Sequence, residues 1–542
     1  MMRSRGNFWN FKFVGLFVVM IALVVGCNSQ ANKSAQLGAS GAKTEGSPEQ
    51  VFRVAIVGDV PKLNPQGYDN HGFIPLAMMF DPLVRYAEDG KILPGLAESW
   101  QLSADSLTLT FKLRSGVTFQ DGKPFDAAAA KWNFDRWVNV ADHDWLPIST
   151  KIAAITAPDS NTLVLQFKEP YYAALQELSL VRPVRFLSPS SVDAQGKFSK
   201  PIGTGAYKLT ESIKDKKLTF TRNEAYWGDK PAISKVEFDV IPDGQTRVAA
   251  LLSKEVDMIG GEYLGGIPLE SIAMLQSNPQ VEVTIAEGTT TYLLRLNYLK
   301  APFNSLPVRQ ALNYAINREA LSSQVFKNLA TPAKGFFPPS IPYINYPKPE
   351  LYTYQPEKGK KLLEEAGWIA GSDGIRSKDG QPLNLTMLVN NELSPQSKPM
   401  AEVVQANLKA LGINLQLRSV DDGAMVEAIK KGNFDITLGL SYGSPYDPHS
   451  SVKDFFASTK NNDDRYYTDP ELDKLIEAVL KTTTESDRKA QYSKIWQYMD
   501  EQAVAVPVLF SKRIYAINKN VKGFKLAGTE YELNLQGVTI GS

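Results

Sequence analysis

Leu383-Asn-Leu-Thr-Met-Leu-Val389, then Met400 to Leu411 closed by Gly412, then Ile413-Asn-Leu-Gln-Leu-Arg418, is the stretch that decides the fold. The first run is short and apolar, as a strand is. The second has helical periodicity and stops at a glycine. The third alternates like a second strand. Strand, helix, strand in that order predicts an α/β lobe. Toward the C-terminus, Asp469–Thr482 and Asp487–Glu501 read as amphipathic helices and Ala503–Phe510 as a last strand. Toward the N-terminus, Val308–Ile316 and Glu357–Ala366 read as helices. Val51–Val57 opens the folded part as a strand, and a helix is expected near Gly72–Phe80. Leu107–Leu113, Asn161–Phe167 and Lys235–Ile241 read as further strands. Gly116–Phe125 is a hairpin turning on Asp121-Gly122, and Asp126 caps a helix expected to run to about Trp137. Pro201–Leu209 carries Gly203 and Gly205 but no GKS/T or GxGxxG continuation, so it is a turn into a strand and not a phosphate loop.

The 542 residues are 43% hydrophobic and 22% charged, an ordinary globular composition with room for two or three domains. Residues 1–26 read as a targeting segment: Arg3, Arg5 and Lys12 precede an apolar run from Phe13 to Val25 that is short for a membrane span. Its end, Leu23-Val-Val-Gly-Cys27, resembles a lipobox, and Cys27 is the one cysteine of the chain. The expectation is a lipid anchor on Cys27, which removes that thiol from catalysis and from metal binding. Residues 27–50 lack core-forming side chains and read as a flexible tether. Without residues 1–26 the chain has 56 basic and 58 acidic residues, a net of −2. That balance gives no reason to expect nucleic acid as a partner.

Tyr171-Tyr-Ala-Ala-Leu-Gln-Glu-Leu-Ser-Leu-Val-Arg-Pro-Val-Arg-Phe186 is the stretch most suggestive of a site. It begins as a short helix with Tyr172, Leu175 and Leu178 on one face. Pro183 then ends any helix and holds Arg182 extended. Leu180, Val181, Val184 and Phe186 surround that arginine with apolar side chains. An arginine keeps its charge everywhere and is costly to bury alone. It either pairs with an internal acid or receives an anion from outside.

Gly116–Phe125, Pro201–Leu209, Arg222–Pro231, Val308–Leu321 and Tyr354–Trp368 together resemble the family 5 extracellular solute-binding proteins of ABC transporters, which bind dipeptides, oligopeptides or nickel. The resemblance spans about residues 51 to 540. It implies a two-lobed, periplasmic-binding-protein-like α/β fold (type II, cluster C) that closes on its ligand by a hinge. Lobe I would span 51–290 with an extra subdomain at about 96–198, lobe II 291–513, and 514–542 would return to lobe I. Trp145-Leu-Pro147, Tyr171–Phe186, Pro231–Pro242 and Tyr446-Asp-Pro-His449 resemble the nickel-binding branch, whose ligand is nickel(II) held by a small carboxylate-rich or histidine-type chelator. The resemblance gives Arg182 the chelator's carboxylate, which suits the guanidinium fork. Tyr68, Trp145 and Tyr446 become pocket walls. Four positions depart from the branch: Asp142 stands for a second carboxylate-binding arginine, Tyr442 for a pocket tryptophan, Phe73 for a methionine near the metal, and Lys460 for the histidine that touches nickel.

Only three histidines occur: His71, His143 and His449. Each lies in a segment the resemblance places at the cleft, and imidazole is a common ligand for metals of this kind. The expectation is that one of them, His449 first and His71 second, replaces the missing ligand. The alternative reading is a peptide binder, in which Asp447 would hold the peptide's amino terminus. An enzyme is disfavoured by the missing HExxH, GxSxG and S-x-x-K motifs. The expected product is therefore a monomeric, extracytoplasmic, lipid-anchored binding protein with no intrinsic cofactor. It would serve the permease and ATPase of its importer.

Overall fold

The computed structural model describes residues 50–541 apart from 61, 68–71, 347–351, 392–393 and 459–466. The leader, the tether and Cys27 lie outside the described residues. The deciding stretch forms as expected. Strands Asn384–Asn390 and Asn414–Val420 pair in parallel from Asn384 opposite Asn414 to Asn390 opposite Val420. The helix between them, Ser397–Ala410, starts three residues earlier than the sequence suggests. Pro399 falls in its first turn, where the missing N–H would have had no helical partner. Leu385, Met387, Val389, Met400, Val404, Leu408 and Leu415 from these three elements are buried in one apolar cluster.

These strands sit at one edge of an eleven-stranded sheet. Its path runs through Asn414–Val420, Asn384–Asn390, Ile436–Leu440, Val281–Leu296, Val506–Asn518, Met258–Gly260, Val51–Ile56, Lys235–Val240, Lys217–Arg222 and Tyr207–Ile213, with Thr331–Pro332 beside Val506–Asn518. The two middle strands are long and antiparallel, and they join both halves of the sheet. Their ladder has irregularities between Glu287 and Thr291 and between Tyr292 and Leu293. The sequence reading ended the last strand at Phe510, but it continues to Asn518. The sixteen-residue strand Val281–Leu296 escaped the reading. Its exposed polar stretch and its glycine hide the alternation that marks a half-buried strand.

A separate four-stranded antiparallel sheet, Ala97–Leu102, Thr108–Leu113, Thr162–Phe167 and Ile152–Asp159, falls within the range expected for an extra subdomain. Asp126 caps Ala127–Phe134, its carboxylate accepting from Ala129 N at 2.8 Å. That helix ends before Trp137 because Arg136 and Trp137 donate to Asn133 and Phe134, three residues back, which tightens the last turn. The helix read from Tyr171 is confined to Ala174–Glu177. Gly203 and Gly205 are structural: a Cβ on either would collide with the Met78–Met79 backbone. One apolar cluster unites the half-sheet around Val51–Ile56 with the subdomain, and another lies under helices Pro470–Leu480 and Glu485–Glu501. Tyr172, Tyr442 and Leu480 pack against both.

Gly288 lies in the irregular part of the central ladder. A Cβ there would stand 2.7 Å from the Ser511 carbonyl oxygen and closer still to its Oγ. Gly288→Ala is expected to destabilise the protein by about 1–3 kcal/mol, the usual cost of overpacking. Gly266→Ala, where a Cβ meets open space, serves as the control. Equal urea midpoints for the two variants would contradict this.

Candidate functional site

The helix Phe73–Met79 begins with Phe73. Arg182 lays its guanidinium carbon 4.4 Å from the centre of that ring, and both side chains are buried. The neighbouring Arg185 is buried as well. Its Nε donates to Leu180 O, its Nη1 to Phe80 O and Ala77 O, and its Nη2 pairs with Glu532. Arg185 is thus tied to the scaffold, while Arg182 rests on an aromatic face, where a cation is stabilised by the ring quadrupole.

From Phe73 a belt of rings continues. Phe73 lies 5.1 Å from Tyr263 and 4.7 Å from Tyr531, and the last two are 4.7 Å apart. Tyr531 meets Tyr446 at 5.6 Å, Tyr446 meets Tyr442 at 6.1 Å, and Tyr442 meets Phe455 at 5.2 Å. The Tyr531 hydroxyl donates to the Tyr442 carbonyl at 2.5 Å. Arg295 closes the belt, 3.9 Å over Phe455. Burial pushes the phenols of Tyr263 and Tyr531 well up, so both stay neutral. Phe73, Tyr442 and Tyr446 were expected here. Tyr263 and Tyr531 were not, because they come from two segments that only the fold brings together.

A cavity of about 350 Å³ is lined by Gln66, Gly67, Asp142, His143, Trp145 and Pro183. It gathers two residues expected at the site, Trp145 and His143, with the proline that follows Arg182. His143 is half-buried, and burial lowers its pKa against the opposing pull of Asp142 and Asp144. Its imidazole therefore stays neutral, and able to donate a lone pair, to lower pH than a free histidine. A second cavity, of about 280 Å³, is lined by Arg318, Tyr352 and Asp500 among others. Arg318 there donates to the carbonyls of Pro507, Asn313 and Tyr352, so its guanidinium serves the scaffold. Tyr68, His71 and Lys460 lie outside the described residues.

His449 is the first residue of the helix His449–Phe456 and is buried. Its Nε2 lies 3.1 Å from Glu177 Oε1, and the ring meets Tyr172 edge-on at 6.1 Å. Facing a carboxylate, Nε2 carries the proton and donates, which leaves Nδ1 alone for any metal. Glu177 also accepts from the Tyr171 hydroxyl at 2.5 Å and from Ile148 N at 2.8 Å. Asp447, two residues before His449, is buried as well. Its Oδ2 accepts from Gly443 N at 2.8 Å, so it braces its own turn. Among the described residues, no group of three or more His, Cys, Asp or Glu side chains could hold a metal ion. No described helix is long and apolar enough to cross a membrane.

The family model for bacterial extracellular solute-binding proteins, family 5, matches residues 91–463. A nickel-binding periplasmic protein of Escherichia coli (strain K12) is 37% identical over 468 residues, 83% of this chain and 87% of that protein. The glutathione-binding protein GsiB of Shigella boydii serotype 4 (strain Sb227) is 29% identical over 494 residues, 87% of this chain and 91% of that one. The crystal structure of NikA from Brucella suis in complex with Fe(III)-EDTA superposes with a TM-score of 0.85 at 33% identity, covering 91% of this chain and all of that one. These solute-binding proteins share the two-lobed α/β fold.

Burial raises the carboxyl of Asp447 from its ordinary 3.8 to about 7, outweighing the Gly443 N–H that favours the charged form. The folded state thus keeps a proton that the unfolded chain releases. This stabilisation is complete below about pH 4 and is lost as pH rises through 7. Asp447→Asn retains an acceptor for Gly443 and cannot ionise. Relative to wild type it should be more stable at pH 8 than at pH 4 by roughly a few kcal/mol. Urea denaturation of both proteins across that range measures the difference, and parallel pH profiles would refute it.

Proposed function

The chain belongs to the bacterial extracellular solute-binding proteins, family 5, and from that premise we propose that it captures a nickel chelate and delivers it to the permease and ATPase of an ABC importer. One observation carries this reading: the buried guanidinium of Arg182 lies on the Phe73 ring, and Pro183 next to it lines a cavity with Trp145 and His143. Such a group recognises a carboxylate, and histidine or a polycarboxylate chelator of nickel(II) brings one. A nickel-binding relative from Escherichia coli and a Brucella suis relative that holds Fe(III)-EDTA support a metal chelate as the ligand.

Arg182 takes the chelator's carboxylate. Trp145, Phe73, Tyr442 and Tyr446, with Tyr68, wall the ligand, and Tyr263 and Tyr531 complete the belt. His143 stands on the cavity wall with Asp142 beside it, so it ranks ahead of His449 as the protein's own donor to the metal. His71 is the remaining candidate. One donor suffices, because the chelator supplies the others. The lobes, 51–290 with 514–542 and 291–513, close on the ligand. Closure removes water and strengthens the ion pair at Arg182. The protein acts as a monomer held to the membrane by a lipid on Cys27, and no catalytic step is involved.

The peptide reading is weaker for a physical reason. The aspartate that would receive a peptide's amino terminus, Asp447, is buried and braces its own loop. A glutathione-binding relative keeps peptides in the experiment all the same.

Tryptophan fluorescence of the mature protein would be followed while adding nickel alone, nickel with free histidine, and a dipeptide mixture. Saturable quenching is expected with nickel plus histidine. Arg182→Ala should weaken that binding roughly 10- to 100-fold, the value of a charge-assisted hydrogen-bond pair. His143→Ala should weaken it more than His449→Gln does. A response to peptides alone would overturn the nickel assignment.

A further inference from the structure

One buried acid touches three separate parts of the site without lining it. Glu177 is 1% exposed. Its Oε2 accepts from Ile148 N at 2.8 Å, three residues after Trp145. Its Oε1 accepts from the Tyr171 hydroxyl at 2.5 Å and from His449 Nε2 at 3.1 Å, three residues after Tyr446. A buried carboxylate is costly unless its lone pairs are met by donors, and here three fixed donors meet them. Two of those donors lead directly to the loops that carry Trp145, in the subdomain, and Tyr446, after the strand Ile436–Leu440.

The chain just before Glu177 makes the same crossing. Tyr172 N donates to Leu480 O at 3.2 Å, and the Tyr172 and Tyr492 hydroxyls hydrogen-bond each other. Arg488 lies 4.2 Å over the Tyr172 ring. Glu169 accepts from Lys481 at 2.8 Å on the far side and also pairs with Lys151 on the near side. Residues 169–177 thus act as a strap onto helices Pro470–Leu480 and Glu485–Glu501. At the end of that strap, Glu177 is the buried, charged contact.

We propose that Glu177 is a positioning residue that couples closure of the lobes to the placement of the two aromatic walls, Trp145 on one side and Tyr446 on the other. This rests on the solute-binding reading above, and it extends that reading by assigning His449 to the closing contact. When the halves part, Glu177 loses His449 and keeps Ile148 and Tyr171. When they meet, one carboxylate fixes both loops at once. Ligand held between those loops then leaves only after the Glu177–His449 contact opens, so the residue governs dissociation more than capture.

Glu177→Gln tests this, because a neutral amide offers one acceptor atom for three donors and its NH2 faces either Ile148 N–H or the Tyr171 and His449 donors. His449→Ala and His449→Gln form the second series, and His449→Gln restores a donor. The dissociation rate of nickel with histidine should rise roughly tenfold in Glu177→Gln and His449→Ala, with the association rate unchanged and partial rescue in His449→Gln. A purely structural role would lower stability without splitting the two rates. If the bound ligand is a peptide, the same rates are measured with the peptide. Hydrogen exchange of the ligand-free protein decides the coupling independently of any ligand. In Glu177→Gln, residues 145–152 and 446–456 should both exchange faster. Acceleration in only one segment, or an unchanged dissociation rate, would overturn the proposal.

Discussion

The antiparallel pairing of Val281–Leu296 with Val506–Asn518 is the constraint on which the rest depends. Each strand is long enough to serve both halves of the sheet, so the pair joins them. Backbone hydrogen bonds must be satisfied along the buried ladder. The ladder nevertheless loses register from Glu287 to Leu293, where Gly288 lets the strands approach closely. An irregular ladder bends more readily than a regular one. The pairing therefore holds the halves together through an irregular middle.

Across the site, buried charge is handled in two ways. Arg185 and Arg318 spend their donors on carbonyls and, for Arg185, on Glu532. They fix loops, and a ligand has no use for them. Arg182 lies on Phe73, at the end of a belt of rings, and Pro183 beside it lines a cavity. Glu177 is the acidic counterpart of Arg185 and Arg318, with three donors converging on it.

Much of the architecture was legible because local signals agreed with the tertiary outcome. The strand–helix–strand run at 384–420 has the apolar spacing of its core face. Asp126 caps the helix that follows it. The long central strands were not legible in full. Val281–Leu296 passes through polar, half-exposed positions, and Val506–Asn518 outruns its apolar start. Burial there is decided by neighbouring strands, which no local period records.

The site divides along the same line. By itself the sequence determined the residue types: an arginine ahead of a proline among apolar neighbours, aromatics near three histidines, and a family resemblance that the comparisons bear out. Only the tertiary structure decided which of them meet. It placed Tyr263 and Tyr531 against Phe73, gathered His143 and Trp145 about one cavity, and turned His449 onto Glu177, 272 residues away. Chain connectivity constrains neighbours in sequence, but contacts between distant segments follow from the closing of the sheet and the burial of its faces. The identity of a side chain fixes what it can do, and its surroundings fix whether it is left to do it.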